Sequence, residues 1–242
     1  MREAEILRSL IVDSQRIVFF GGAGVSTGSG IPDFRSATGL YNREQKTNYS
    51  PETMLSFDFM VNHPEEFFRY KRENLNFPGA KPNRAHLALA RLEATRPSTT
   101  IITQNIDGLH QAAGSTKVLE IHGSMQRFYC MGCGRDYPPE LVWAGEGVPR
   151  CPACQGMIRP DVVLYGEMLD QRVMNRAQSA IRGAELMIVG GTSLVVYPAA
   201  GLLNYFHGKA LVLINRESTP YDHVATYVFH EDLGEVLDQA ID

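Results

Sequence analysis

The sequence lacks several features that define whole classes of protein. No apolar run reaches the roughly 18 to 20 residues of a membrane helix. The N-terminal segment is amphipathic and has no charged region followed by an apolar stretch, as a signal peptide would. A formal net charge of -4 and a pI near 6.0 provide no basic field for nucleic acid. We therefore expect a cytoplasmic protein that binds neither membranes nor nucleic acid directly.

Two common nucleotide-binding signatures are absent or incomplete. A P-loop, Gly-x-x-x-x-Gly-Lys-Ser/Thr, does not occur. The dinucleotide fingerprint is met only in part, because Thr27 stands where a third glycine would follow Gly22 and Gly24. No predicted strand about 20 residues further on ends in an acid. The P-loop class is excluded, and a standard hydride-transferring Rossmann enzyme is disfavoured.

The composition is nevertheless that of a folded α/β protein. The chain has 242 residues, 44% of them hydrophobic, which is enough for a large core. Short apolar runs alternate with segments of helical periodicity and predict strands over residues 17–20, 99–103, 118–121, 186–189, 210–214 and 227–230. This alternation predicts a Rossmann-like parallel sheet with helices on both faces.

The stretch from residue 17 to 35 is central to this prediction. Its strand leads into Gly-Gly-Ala-Gly at 21–24, where missing Cβ atoms would let a ligand approach the backbone. Ser26 and Thr27 are predicted to begin a helix whose free N–H groups face a phosphate. The following Pro32-Asp33-Phe34-Arg35 ends that helix early and puts an acid, an aromatic ring and a guanidinium close together.

Polar residues follow two more of the predicted strands. Gln104, Asn105 and Asp107 come directly after residues 99–103, and His122 closes residues 118–121. The carboxyl ends of parallel strands form the crevice in which such folds bind ligands. A plain turn, with Asp107 capping the next helix, is the alternative for the first group. His122 is a candidate general base because histidine titrates near neutrality.

A second strand-to-glycine turn comes after residues 186–189. Gly191, Thr192 and Ser193 there can offer amide and hydroxyl donors to a phosphate or a ribose. Asn215 follows the next strand and suits an adenosine ribose, although a turn cap would explain it equally well.

The four cysteines form two Cys-x-x-Cys pairs, Cys130 with Cys133 and Cys151 with Cys154, separated by 17 residues. This is the spacing of a zinc ribbon, and four thiolates fill the coordination sphere, so the zinc is predicted to be structural. One such pair alone could be a thioredoxin-like redox motif, but two at this spacing favour the metal.

We expect the chain to be a single catalytic core and a monomer. The large Rossmann-like domain is predicted over residues 1–125 and 160–242, with the zinc ribbon inserted at about 126–159. A loop followed by short helices, at about 36–82, would complete the smaller lobe. That segment can be a lid or a structural cap.

Together these motifs resemble one family over nearly the whole chain. Residues 22–26 and 30–35, then 103–107, His122-Gly123, the four cysteines and 191–193 are similar to the sirtuins, NAD-dependent protein lysine deacylases, and to their small bacterial members. The resemblance implies NAD as co-substrate, one structural Zn²⁺ per chain, and acetylated lysines of proteins or peptides as partners.

The resemblance also implies where NAD would lie. Its pyrophosphate would rest on the first glycine turn, and its adenosine half on the second turn and near the last strands. Phe34 would cover the nicotinamide-side pocket, with Ile106 and Asp107 receiving the carboxamide. Arg35 would fix the cofactor loop. The implied cofactor-binding residues are Gly22, Ala23, Thr27, Asp33, Phe34, Arg35, Gln104, Asn105, Ile106, Asp107, His122, Gly191, Thr192, Ser193, Asn215, Glu217, Glu231 and Asp232.

In the implied reaction, the carbonyl oxygen of acyl-lysine attacks C1′ of the nicotinamide ribose as nicotinamide leaves. His122 would act as general base on a ribose hydroxyl, and Asn105 would orient the ribose or a water. The products would be nicotinamide, free lysine and O-acyl-ADP-ribose. The substrate backbone would pair, as an added strand, with an extended segment made of Val163, Leu164, Tyr165 and Gly166.

The same resemblance also indicates which acyl group on lysine the protein is expected to prefer. Members that prefer succinyl or malonyl groups share a Tyr-x-x-Arg pair that can bind a carboxylate. Phe68 and Lys71 occupy those positions here, so a neutral acyl group, most simply acetyl, is expected.

Two other functions stay open on the sequence. Mono-ADP-ribosyl transfer to protein would use the same cofactor cleavage but leave labelled protein behind. A non-catalytic NAD or ADP-ribose sensor, with the ribbon as a protein-binding module, is the alternative outside enzymes. The combination of Asn105, Asp107 and His122 speaks against it.

Overall fold

The structure is a computed structural model that describes residues 2–34, 36, 39–42 and 49–241. Its strands are β1 (Ile17–Gly21), β2 (Thr100–Thr103), β3 (Val118–Glu120), β4 (Gly123–Cys130), β5 (Asp136–Tyr137), β6 (Ile158–Val162), β7 (Leu186–Gly190), β8 (Ala210–Ile214) and β9 (Tyr227–Phe229). The six strands predicted from the sequence are all present, with ends that differ by at most one residue.

The described helices cover both the large sheet and the smaller lobe. They are α1 (Arg2–Val12), α2 (Pro51–Met54), α3 (Phe57–Asn62), α4 (Pro64–Asn74), α5 (Arg84–Thr95), α6 (Leu109–Ala112), α7 (Pro139–Trp143), α8 (Gln171–Gly183) and α9 (Leu233–Ala240). Short 3₁₀ helices span Ala23–Ser29, Leu40–Asn42, Ala200–Tyr205 and Asp222–Val224. Among these helices, none combines the length and hydropathy that crossing a bilayer requires.

The large sheet has six parallel strands in the order β3-β2-β1-β7-β8-β9. The chain runs outward from β1 on one side through β2 and β3, and on the other side through β7, β8 and β9. The direction of winding therefore reverses between β1 and β7. In open parallel sheets, a ligand crevice forms outside the carboxyl ends of the strands at such a reversal.

The core lies on both faces of this sheet, which is why its strands are continuous apolar runs rather than alternating ones. Phe19 packs in a buried cluster with residues of α1, α5 and α9. Phe20, its neighbour in β1, points the other way and packs with residues of α8 and of the Ala200–Tyr205 helix. The sequence prediction of a doubly covered Rossmann-like sheet is thus confirmed.

A second, antiparallel sheet carries the cysteines. Its order is β5-β4-β6, and β4 pairs with β6 from Gly123 opposite Val162 to Cys130 opposite Ile158. Its small apolar cluster includes Phe128, which packs edge-on against Trp143.

Helices α2 to α4 form a further cluster beside the mouth of the crevice. Phe67 and Phe68 of α4 are fully buried there with Leu55 and Leu164, and Phe34 packs against them. The short helices predicted for this segment are therefore present. Of the loop predicted before them, residues 37, 38 and 43–48 lie outside the described part of the chain.

Candidate active site

A cleft of about 2040 Å³ opens at the carboxyl ends of the parallel strands. It extends over the turns after β1 and β7, past the end of β2, to the chain that follows β6. The cleft brings together every described residue that the sequence assigned to a cofactor or a substrate. These are Gly22, Ala23, Thr27, Asp33, Phe34, Gln104, Asn105, Ile106, Asp107, His122, Val163, Leu164, Tyr165, Gly166, Gly191, Thr192, Ser193, Asn215, Glu217, Glu231 and Asp232. Arg35, the remaining one, lies outside the described residues.

The glycines of the first turn allow it to lie directly against the second turn. A Cβ on Gly24 would be 2.8 Å from the Cα of Gly191, and one on Gly22 would be 2.8 Å from the Cβ of Thr192. The sequence interpretation attributed these glycines to close approach of a ligand. The structure shows, in addition, that they let two backbone turns touch.

The helix after the first turn begins earlier than predicted. It is a 3₁₀ helix that starts at Ala23, with Gly22 as its N-cap, so Ser26 and Thr27 lie inside it rather than at its start. The amide of Gly24 donates to the carbonyl of Gly191, and that of Val25 donates to Gly22. These two N–H groups are therefore already bonded within the protein. The helix ends at Gly30, whose φ of 82° only glycine adopts readily, as the early break predicted.

Three side chains from different turns form a hydrogen-bonded group at the base of the cleft. The hydroxyl of Ser26 donates to a carboxylate oxygen of Asp107 at 2.6 Å and accepts from the amide of Asn105 at 3.0 Å. The other carboxylate oxygen of Asp107 accepts from the amide of Leu109 at 2.9 Å. Asp107 is thus both the helix-capping residue of the alternative interpretation and a residue of the cleft. The carboxylate is oriented from two sides.

His122 is held in one orientation by the chain end of β2. Its Nδ1 lies 3.0 Å from the carbonyl oxygen of Gln104, so Nδ1–H donates and Nε2 keeps a free electron pair. Burial lowers the pKa of His122 below its usual value, and the hydrogen bond to the Gln104 carbonyl opposes that shift only in part. The imidazole is therefore neutral at pH 7, as a general base must be.

Gln104 and Asn215 connect the turns at the end of the cleft that the sequence predicts to hold adenosine. The amide of Gln104 donates to the hydroxyl of Thr192 at 3.0 Å. The side-chain amide of Asn215 accepts from the N–H of Thr192 at 3.0 Å and donates to its carbonyl at 3.1 Å. Asn215 thus fixes the second glycine turn, and the structure supports the turn-capping alternative for it.

Asp232 also has a structural role. One carboxylate oxygen accepts from the amide of Glu235 and caps α9, and the other lies 2.6 Å from a guanidinium nitrogen of Arg216. Of the acidic residues predicted to hold adenosine, Glu217 and Glu231 line the same end of the cleft.

Phe34 is connected to the predicted substrate segment through Tyr41. The two rings pack edge to face at 5.5 Å, and the amide of Tyr41 donates to the carbonyl of Phe34. The hydroxyl of Tyr41 lies 2.5 Å from that of Tyr165. The sequence interpretation missed Tyr41, because a lone tyrosine in a polar loop carries no pattern.

The segment from Val163 to Gly166 is less open to strand pairing than the sequence suggested. The amide of Val163 donates to the carbonyl of His122, and that of Tyr165 donates to Leu55. The amide of Leu164 is bonded to the carboxylate of Glu167. The β6 strand ends at Val162, and Tyr165 forms only an isolated bridge with Ser56.

The four cysteines converge as predicted. Their sulfurs all lie within 4.8 Å of one another, with 3.4 Å between Cys130 and Cys154 and 3.7 Å between Cys133 and Cys151. A zinc–sulfur bond of about 2.3 Å in a tetrahedron puts sulfurs about 3.8 Å apart. A Cβ on Gly156 would be 2.9 Å from the sulfur of Cys130, so glycine leaves the space for this cradle. The group fits one structural zinc ion.

Taken together, the reversed parallel sheet, the paired glycine turns over one cleft and the tetracysteine group define a Rossmann-like nucleotide-binding protein with a zinc ribbon. A sequence profile described as the Sir2 family matches residues 22–198. The chain belongs to the Sir2 family.

Relatives and solved structures cover almost the full length of the chain. An NAD-dependent protein deacetylase of Clostridium perfringens is 52% identical over 98% of this chain and 97% of that protein. One from Cutibacterium acnes is 54% identical over 96% and 95%. A Sir2 structure with a deacetylated p53 peptide and 3′-O-acetyl ADP ribose has a TM-score of 0.89 and 41% identity, covering 99% of this chain and 97% of that one. A Sir2–p53 peptide–NAD⁺ structure has a TM-score of 0.84 at 42% identity, covering 98% and 96%.

Proposed function

We propose that this protein is an NAD-dependent protein lysine deacetylase, which transfers the acetyl group of acetyl-lysine to ADP-ribose and releases nicotinamide. The observation that carries the proposal is the placement of His122. Its free Nε2 lies in the same cleft as the paired glycine turns and the group formed by Ser26, Asn105 and Asp107.

The cleft has the donors and shapes that a dinucleotide requires. The glycine turns leave a low backbone surface for the pyrophosphate, and Ser193 and Glu217 line the adenosine-side end. Phe34 also lines the cleft, where its aromatic ring can cover the nicotinamide. Asp107 is held by Ser26 and by the amide of Leu109, so its carboxylate is oriented before any ligand binds. When bound, NAD supplies the electrophilic ribose carbon and accepts the acetyl group.

His122 acts as the general base in this proposal. Hydrogen bonding of Nδ1 to the Gln104 carbonyl fixes the tautomer in which Nε2 accepts a proton from a ribose hydroxyl. Asn105 is 9% exposed, and its side-chain amide donates to Ser26. Its carbonyl oxygen can then orient the ribose or a water.

Acetyl-lysine enters beside the segment from Val163 to Gly166 in this proposal. The amides of Val163, Leu164 and Tyr165 are bonded within the protein. The Val163 carbonyl and the backbone of Gly166 are therefore the groups that we assign to the peptide main chain. We further propose that the chain acts as a monomer with one zinc ion.

The test uses an acetyl-lysine peptide with and without NAD, following nicotinamide release and the mass of the peptide. Loss of the acetyl group only when NAD is present supports the proposal. NAD labelled in the adenosine would mark protein rather than a small product if the activity were ADP-ribosyl transfer. Binding of NAD without turnover of any acetyl peptide would make the protein a sensor instead.

A further inference from the structure

A buried ion pair beside the segment from Val163 to Gly166 has no role in the function proposed above. Arg159, on β6, is 3% exposed, and its guanidinium donates to both carboxylate oxygens of Glu167, at 2.6 and 2.8 Å. The centres of the Phe57 and Tyr129 rings each lie 5.8 Å from the guanidinium carbon. A buried ion pair adds little net stability, because lost hydration offsets the attraction between the charges. What this pair provides is a fixed position for the carboxylate.

The carboxylate of Glu167 in turn holds one main-chain amide. It accepts from the amide of Leu164 at 2.9 Å, and the amide of Glu167 donates to the carbonyl of Leu164 at 3.0 Å. Burial alone would raise the pKa of Glu167, but hydrogen bonds from Arg159 and Leu164 outweigh burial and keep that pKa below its ordinary value. The carboxylate is therefore ionised at neutral pH. A hydrogen bond to an ionised acceptor is stronger than one between neutral groups.

The amides on either side of Leu164 are bonded directly to the main chain of other segments. The amide of Val163 donates to the carbonyl of His122 at 3.0 Å, and that of Tyr165 donates to the carbonyl of Leu55 at 3.1 Å. Of these three successive amides, that of Leu164 is the one whose acceptor is a side chain. The path of the segment between its two main-chain anchors thus depends on the ion pair.

The amide of Leu164 belongs to the same peptide unit as the carbonyl of Val163. A peptide unit is planar and trans, so its N–H and C=O groups point in opposite directions. Because the N–H of Leu164 is fixed on the carboxylate of Glu167, the carbonyl of Val163 is directed the opposite way. Val163 lines the cleft, and its carbonyl is one of the groups assigned above to the main chain of the substrate.

We propose that the ion pair of Arg159 and Glu167 positions the substrate peptide by fixing the direction of the Val163 carbonyl, which accepts a hydrogen bond from the peptide main chain. This inference rests on the proposed function and adds two residues to it. Loss of the pair weakens binding of the peptide. It leaves binding of NAD and the chemical step unchanged, because the glycine turns and His122 are held by their own hydrogen bonds.

The variant Arg159→Lys keeps the positive charge but lacks the planar fork that holds both carboxylate oxygens. We expect the dissociation constant of a fluorescent acetyl-lysine peptide, and its KM, to rise by about fivefold, which is the worth of one main-chain hydrogen bond. Both kcat and the KM for NAD should stay within about twofold of the native values. A variant that was only less stable would instead lose active protein and show a lower apparent kcat.

Arg127→Lys is the matched control. Arg127 also pairs with two acids, Glu120 and Asp161, but it does not line the cleft. The same substitution there should leave the affinity for the peptide unchanged. Equal loss of affinity in the two variants would show that the effect is not specific to the pair of Arg159 and Glu167.

A second measurement tests the hydrogen bond itself. In a set of otherwise identical peptides, each amide next to the acetyl-lysine is replaced in turn by an ester, which removes one N–H donor. At least one ester should weaken binding to the native protein by about fivefold. In Arg159→Lys, one such ester peptide and its parent should bind within about twofold of each other, because the acceptor is already misdirected. The proposal is overturned if no ester weakens binding to the native protein, or if every ester effect persists in the variant.

Glu167→Asp is the second variant if Arg159→Lys does not fold. It keeps the negative charge, but its side chain is shorter by one methylene group and cannot hold Arg159 and the amide of Leu164 together. The same fivefold loss of peptide affinity is expected. Native affinity for the peptide in this variant would contradict the positioning role.

Turnover of the acetyl peptide with NAD is measured in parallel on the native protein. If the peptide is deacetylated but Arg159→Lys binds it as tightly as the native protein does, the positioning proposal alone is wrong. If the peptide binds without turnover and the variant binds it more weakly, the proposed reaction is wrong and the positioning role stands. A native protein that does not bind the peptide would overturn both.

Discussion

The amide of Gly24 donates a hydrogen bond of 2.8 Å to the carbonyl of Gly191, so the turn after β1 lies against the turn after β7. These two strands are neighbours in the sheet although about two thirds of the chain lies between them. The floor of the cleft is therefore built from two distant segments, and its shape depends on their close contact.

The variant Gly191→Ala should break this contact. Gly191 has φ of 60°, and a Cβ there would lie 2.4 Å from the amide nitrogen of Val25. Backbone must move to make room, so we expect a loss of about 3 kcal/mol or more in the free energy of unfolding. Denaturant unfolding followed by circular dichroism measures it. Gly79→Ala is the control, because no atom lies within 4 Å of a Cβ at that position. Equal stability of the two variants would show that the turns can separate freely.

His122→Ala should lower turnover by roughly two to four orders of magnitude, as loss of a general base does. The fold should persist, because His122 lies at a strand end and not in the core clusters. Rates with an acetyl peptide at saturating NAD measure the effect, with His207→Ala at an exposed position as the control. In the native enzyme, kcat/KM should fall as the pH drops through a pKa below the usual 6.5 of histidine. A near-normal rate for His122→Ala would remove this residue as the base.

Ser26→Ala should disturb both partners of the hydroxyl. Asn105 would lose its acceptor and Asp107 its donor, and an unsatisfied buried group costs about 1 to 3 kcal/mol. We expect kcat to decrease by at least about tenfold, because the orientation of Asn105 and Asp107 depends on Ser26. Steady-state kinetics separate kcat from KM for NAD. Ser9→Ala, at an exposed position of α1, should leave both constants unchanged.

Cys151→Ser should remove zinc from the protein. Cys151 is fully buried, and three thiolates cannot complete the tetrahedral site. We expect less than one zinc per chain by metal analysis and a large loss of soluble protein. Met131→Ser changes an exposed residue in the other Cys-x-x-Cys turn, between Cys130 and Cys133, and should retain the metal. A stable, active, zinc-free Cys151→Ser protein would contradict the structural role.

The buried pair His86 and His110 should make the protein sensitive to acid. Their rings lie 4.8 Å apart, and burial lowers the pKa of His86 to about 4 and that of His110 to about 3. Asp107 opposes the shift for His86, whereas His86 adds to that for His110. Both rings are neutral in the folded protein, while in the unfolded chain they take up protons below pH 6.5. The contribution of this pair to the free energy of unfolding is therefore fully present above pH 6.5. It decreases as the pH falls toward 4, by up to about 1.4 kcal/mol per pH unit for each histidine.

His110→Phe tests this directly, since it removes one titrating ring and keeps an aromatic side chain. The free energy of unfolding between pH 6.5 and 4.5 should fall less steeply in this variant than in the native protein, by about half of the contribution of the pair. An unchanged slope would mean that the carboxylates alone determine the acid response.

The predictable part of this protein was its regular structure and its strongest motifs. Continuous apolar runs in the sequence predicted all six strands of the parallel sheet, because strands buried on both faces are apolar at every position. The spacing of the cysteines predicted that they form one group of four.

The less predictable part depended on contacts between distant segments. A side chain at Gly22 or Gly24 would collide with residues 191 and 192. Spacing along the sequence cannot predict that these segments meet. Asp232 likewise uses one carboxylate oxygen to cap α9 and the other to contact Arg216, a partner that its position in the sequence does not indicate.

Strand β4 connects the cleft with the tetracysteine group. His122 immediately precedes its first residue, Gly123, and Cys130, a zinc ligand, is its last. Its partner β6 leads directly into the segment from Val163 to Gly166. The metal site thus fixes the far ends of the two strands that lead to the proposed base, His122, and to the proposed substrate segment. Scarcity of zinc, or oxidation of the thiolates, is expected to abolish activity without changing any of the residues that we assign to NAD.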